Sequence, residues 1–124
     1  MSKYEHPYTE HAEYLEFIVS STSRDEEFFQ DLLCAMVEAT EKTGKRRILV
    51  DRSSSDQTQP IAPMAIYRLS LRMAEAFGAS VRVAALSPHA DHQTFWEDVS
   101  SNRGAIVKAS NHRESLLQWL LSDD

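Results

Sequence analysis

The chain has 124 residues, enough for one domain with a real core, and its 42% hydrophobic and 26% charged residues are ordinary for a globular protein. A net charge of −6 argues against a nucleic-acid backbone as partner, and the one tight basic run, Lys45-Arg46-Arg47, flanks an apolar segment where solvated charges are usual. The single cysteine, Cys34, rules out an intrachain disulfide, no apolar stretch approaches the ~18–20 residues of a membrane span, and "MSKYEHPYTEH" lacks the pattern of a signal peptide. These features lead to the expectation of a cytosolic protein with no membrane insertion.

In "EYLEFIVS", Leu15, Phe17 and Val19 alternate with Tyr14, Glu16 and Ile18, the period of two of a strand with one buried face. Tyr4 to Tyr8 is expected as its partner strand, confined to an edge by Pro7. Ser23 and Glu26 then have capping-box spacing, and Phe28, Phe29, Leu32, Leu33, Met36 and Val37 recur at helical spacing up to Gly44. This predicts a helix from about Arg24 to Thr43, with Cys34 packed inside it as a small hydrophobe. Ile48-Leu49-Val50 is a short continuous apolar run, the mark of a central strand buried on both faces.

Pro63 is well placed to open the next helix, which Gly78 ends. That helix carries two apolar stripes, Met64, Tyr67, Leu71 and Ala74 beside Ile66, Leu69, Met73 and Phe77. Burying both would take a partner subunit as well as the sheet, so the first stripe is the expected interface of a homodimer. Val81 to Leu86 reads as a strand with Pro88 at its exit. Asp91 is placed to cap a helix with Phe95, Trp96 and Val99. Asn102-Arg103-Gly104 turns into a strand from Ala105 to Ala109, with Arg103 fixing the turn. Asn111 and Glu114 have capping-box spacing for a last helix bearing Leu116, Leu117, Trp119, Leu120 and Leu121. The order β(β)αβαβαβα predicts a single-domain α/β sandwich: a mixed, mostly parallel sheet of four to five strands with about four helices.

Three stretches carry a family resemblance: "RRILVD" after a long helix, "VRVAAL" with a polar exit, and the closing "FWEDVSSNRGAIVKASNHRESLLQWLL". From about Tyr14 to Leu121 the chain resembles the STAS-like (SpoIIAA-like) domains related to bacterial anti-sigma-factor antagonists. The resemblance implies a non-enzymatic domain used in regulation, protein–protein contact or small-ligand binding. In the switch-type members a phosphoacceptor serine lies in an Asp-Ser-Ser-Gly-like motif at the start of the helix after the central strand. Aligned through Asp51, that place falls at Gln59 to Pro63, which holds no serine, threonine or glycine; Thr58 sits just before it. The resemblance therefore implies the fold without the phospho-switch.

No other motif supplies chemistry. Ser53, Ser54 and Ser55 follow the strand directly and lack the G-x-S-x-G elbow of a serine nucleophile. With Asp56 they read as a loop turned by side-chain-to-backbone hydrogen bonds. A hydrolase would need a histidine within about 3.2 Å of a serine oxygen, from His89, His92 or His112. "HADH", His89 to His92, offers too few ligands for zinc or iron. Gly44, Gly78 and Gly104 serve as turns or caps, so no glycine-rich phosphate loop exists and no cofactor is expected. Should a small molecule bind, as in a carrier or lipid sensor, the loops at the C-terminal ends of the parallel strands are its expected place. They would offer Asp51, Ser53, Ser54, Ser55, Asp56, His89 and His92.

Overall fold

A computed structural model of the chain describes residues 5–19, 26–53, 62–88 and 94–122. Its five strands are β1 (Tyr8–Glu10), β2 (Leu15–Ile18), β3 (Arg47–Asp51), β4 (Arg82–Leu86) and β5 (Ile106–Ser110). The helices among the described residues are α1 (Glu26–Thr43), α2 (Pro63–Phe77), α3 (Thr94–Asn102) and α4 (Arg113–Leu121). The α/β class and the mixed, mostly parallel sheet follow the sequence reading.

The strands lie in the sheet in chain order, β1-β2-β3-β4-β5, with β1 antiparallel to β2 and all later pairs parallel. Each parallel crossover therefore steps the same way. Crossovers of one hand then put their helices on one face of the sheet. Leu15, Phe17, Ile48, Val50, Val83, Ala85 and Val107 accordingly pack with α1, α2 and Trp96 of α3 in one large core. The opposite face is left to α4, whose Leu116 and Leu120 close a smaller core over Leu49, Ala84 and Leu86. Because α4 lies over β3, β4 and β5, Ile18 on β2 stays 42% exposed.

Two glycines stop helices as expected. Gly44 (φ 75°) and Gly78 (φ 51°) occupy conformations that a side chain would strain, and their N–H groups bond Thr40 and Ala74 carbonyls at 2.8 Å each. Arginines close the end of α4. Arg82 Nη1 donates to the carbonyls of Trp119 (3.0 Å) and Ser122 (2.9 Å) and lies over the Trp119 ring, while Arg47 Nη2 donates to Ser122 at 3.2 Å. Cations on those orphan carbonyls are favoured by hydrogen bonding and by the helix dipole. Arg47, one of the three residues of the expected solvated basic run, is thus structural.

Several local expectations need correction. The strand partner of β2 is Tyr8–Glu10, which begins where the expected Tyr4–Tyr8 strand ends, beyond Pro7, whose ring nitrogen has no proton to give a ladder; Tyr4 lies outside the described residues. The strands β4 and β5 begin one residue later than expected, and β5 ends one later. The residue before α4 is His112, with no side-chain cap; Ser110 Oγ instead accepts the His112 N–H at 3.0 Å, so Asn111 does not cap. Cys34 is exposed, because α1 turns Leu33 and Met36 inward and leaves position 34 outside. The Ser23 and Asp91 caps lie outside the described residues.

Candidate functional site

The strand ends hold one polar cluster, and alternation builds it. Leu15 and Phe17 face the large core, so Glu16 between them turns to the α4 side, in register with Leu49 and two positions before the pair Ile18–Asp51. The chain returns to that corner at Arg113, the first residue of α4. Its Nη2 donates to Glu16 Oε2 at 2.7 Å and its Nη1 to Asp51 Oδ2 at 3.2 Å. His11 Nε2 lies 3.0 Å from Glu16 Oε1, with its ring stacked on Tyr14. Ser53 gives both its backbone N–H (2.9 Å) and its hydroxyl (2.5 Å) to Asp51 Oδ1. This is the Asx-type turn expected of the loop.

All four carboxylate oxygens of Glu16 and Asp51 thus have donors. The bond to Glu16 holds the Arg113 guanidinium above its ordinary pKa, and Asp51 adds to the effect. A cation at a helix N-terminus is unfavourable by itself; the two carboxylates offset that and tie α4 to the sheet. Glu16 is only 7% exposed, and its charge is affordable there because both oxygens are paired. The Ser53 hydroxyl donates to the Asp51 carboxylate. What the arrangement does is brace.

Of the residues expected at a ligand site, Asp51 and Ser53 come together; Ser54, Ser55, Asp56, His89 and His92 lie outside the described residues. Among the described residues, no group of three or more His, Cys, Asp or Glu side chains could hold a metal. The expected strand-end crevice also loses its topological basis. Such crevices open where the strand order reverses, and this order never does. On α2, Met64 is 59% exposed, whereas Tyr67, Leu71 and Ala74 are half-buried within the chain. Arg103 Nη2 donates to the Tyr67 hydroxyl at 3.3 Å, which pins its turn to α2.

Two further features escape the sequence. A groove of about 610 Å³ runs between α1 and α2, lined by Leu33, Cys34, Val37, Arg72, Glu75 and Ala76. Arg52, just beyond β3, is 6% exposed, with its guanidinium carbon 5.4 Å from the centre of the Phe29 ring. Burial brings its pKa down to about 10, and its Nε–H has no acceptor. Glu16, expected on the open face of its strand but buried, and Arg113 were missed as well; the available signal was an acid inside an apolar alternation and a base opening a helix. Nothing in the sequence marks Arg52.

No family model matches the chain, and no curated protein matches it.

Proposed function

We propose that the protein is a non-catalytic regulatory or interaction domain of the STAS-like type, acting as a homodimer through the outer side of α2. The observation that carries the first part is the closed bonding of Glu16, Asp51, Ser53 and Arg113, which commits the two described carboxylates at the strand ends to holding α4. Support for the surface is the exposed Met64, followed along α2 by Tyr67, Leu71 and Ala74. The sheet edges suit dimerisation less well. One is the three-residue β1, and at the other Glu97 Oε2 accepts the Ala109 N–H at 3.1 Å. In this reading the domain works in the cytosol, binds no nucleic acid and needs no cofactor. Among the described residues no helix is long and apolar enough to cross a membrane.

The test is native mass spectrometry of the purified protein at micromolar concentration, with Met64→Glu beside it. A dimer that Met64→Glu converts to a monomer supports the reading. A wild-type monomer, or one retaining a small-molecule adduct, sinks it and favours a carrier or sensor instead.

A further inference from the structure

We propose that Glu97 is the guard of a strand-pairing surface, the outer edge of β5, which without it would take β5 of a second copy of the chain. The sheet ends at one side in the three-residue β1 and at the other in β5, five residues long. An edge strand of that length, reading Ile106-Val107-Lys108-Ala109-Ser110, offers a row of backbone groups to another extended segment.

The register says which groups those are. The Ser110 carbonyl accepts the Ser87 N–H at 3.0 Å on the β4 side, and the N–H and C=O of one residue leave a strand on the same side. Ile106, Lys108 and Ser110 therefore bond toward β4, while Ala105, Val107 and Ala109 turn their backbone groups to the outer edge. There α3 takes the two flanking N–H groups. Glu97 Oε2 accepts from Ala109 at 3.1 Å, and the Ser100 carbonyl accepts from Ala105 at 3.0 Å. Val107, between them, has no edge partner among the described residues.

The two caps differ in kind. The Ser100 carbonyl also accepts the Arg103 N–H at 3.1 Å, so that bond belongs to the backbone turn ending α3. The Glu97 bond is made by a side chain reaching over from α3. Its carboxylate stands in the first turn of the helix, where a negative charge suits the dipole, and the adjacent Trp96 is buried and fixes the helix against the core.

The occupant follows from the same register. Two copies of β5 meeting about a two-fold axis would pair antiparallel. With Val107 opposite Val107, that residue exchanges both its bonds, and Lys108 falls opposite Ile106 rather than opposite another Lys108. Each Ala109 N–H then meets an Ala105 carbonyl, and that N–H is the one Glu97 already holds. Guarded, the pair has Val107 alone; unguarded, bonds flank it on both sides. This surface is separate from the outer side of α2, so it does not depend on the dimer proposed above.

The experiment compares Glu97→Ala and Glu97→Gln with their parent, in the wild-type and the Met64→Glu backgrounds, by sedimentation from micromolar to millimolar concentration and by amide hydrogen exchange. Glu97→Ala should double the parent's subunit count as concentration rises, whatever that count is, whereas Glu97→Gln, which keeps an acceptor oxygen, should not. In dilute Glu97→Ala the Ala109 amide should exchange at least about tenfold faster than in the parent, the size expected for loss of a charged acceptor. The Val107 and Ala109 amides should then slow together as the variant associates. A subunit count that Glu97→Ala leaves unchanged overturns the proposal, as does equal association of Glu97→Ala and Glu97→Gln. Association that leaves both amides fast overturns the assignment to β5. If Glu97→Ala fails to fold, the wild type decides. Corrected for intrinsic rates, its Val107 amide should exchange faster than its Ala109 amide by about the same tenfold, and equal protection of the two overturns the guard.

Discussion

Arg113 and Arg52 stand on opposite faces of the same strand end, and their surroundings are inverted. The Arg113 side chain is 43% exposed, could be solvated by water, and has two carboxylates. Arg52 is buried and has an aromatic ring beneath it but no acid among the described residues. Burial usually demands the partners, since water no longer screens or solvates the charge. On the α4 face, therefore, the polar groups form a finished structural joint. On the α1 face a charge is held at a cost in stability.

The sharpest probe of the α4 face is Leu116→Ala. Leu116 is wholly buried at the centre of the smaller core, so its truncation should cost about 2–5 kcal/mol in urea unfolding. A loss below about 1 kcal/mol would mean that α4 frays independently of the sheet, and the brace would lose its purpose. Next in size is the pair of arginine replacements, whose signs should differ. Arg113→Met strands the buried Glu16 carboxylate and should destabilise by about 1–3 kcal/mol, reduced by the exposure of the arginine; adding Glu16→Gln should restore part of it. Arg52→Met removes a desolvated charge, keeps the apolar stem on Phe29, and should stabilise the protein by about 1 kcal/mol. Equal signs would break the contrast between the two faces.

Periodicity carried most of the fold. The alternation around Leu15 and Phe17, the helical spacing from Phe28 to Val37 and the glycine stops placed β2, α1, β3 and α2 nearly to the residue. It also gave Ile48, Leu49 and Val50 as a strand buried on both faces. The site was far less legible, because its members meet across the chain. Glu16 and Arg113 are 97 positions apart and touch only because the sequential sheet leaves one face to α4. Sequence spacing cannot report that neighbourhood. Cys34 shows the reverse error, since apolar neighbours in sequence say nothing of the fourth side of a helix. The α2 stripes were half right for the same reason. The neighbouring α1 and α3 narrow what α2 leaves exposed, and Met64 at its N-terminal end stays uncovered.

The smallest expected effect lies between α1 and α2, beside the groove. Glu26 takes both Nε–H and Nη2–H of Arg68, and that guanidinium holds its carboxyl below the ordinary glutamate range. A carboxyl whose pKa is lower folded than unfolded binds fewer protons in the native state. Its contribution is complete above the unfolded pKa and disappears as pH falls through the folded one. Stability measured by urea unfolding should therefore decline more steeply below the ordinary glutamate pKa in the wild type than in Arg68→Met, with equal slopes at neutral pH. Arg68 is exposed and Glu26 half-buried, so added salt should shrink the difference. If the two acid limbs coincide at low salt, the pair does not couple α1 to α2. The groove between the two helices, whose lining includes neither Glu26 nor Arg68, would then not depend on that pair.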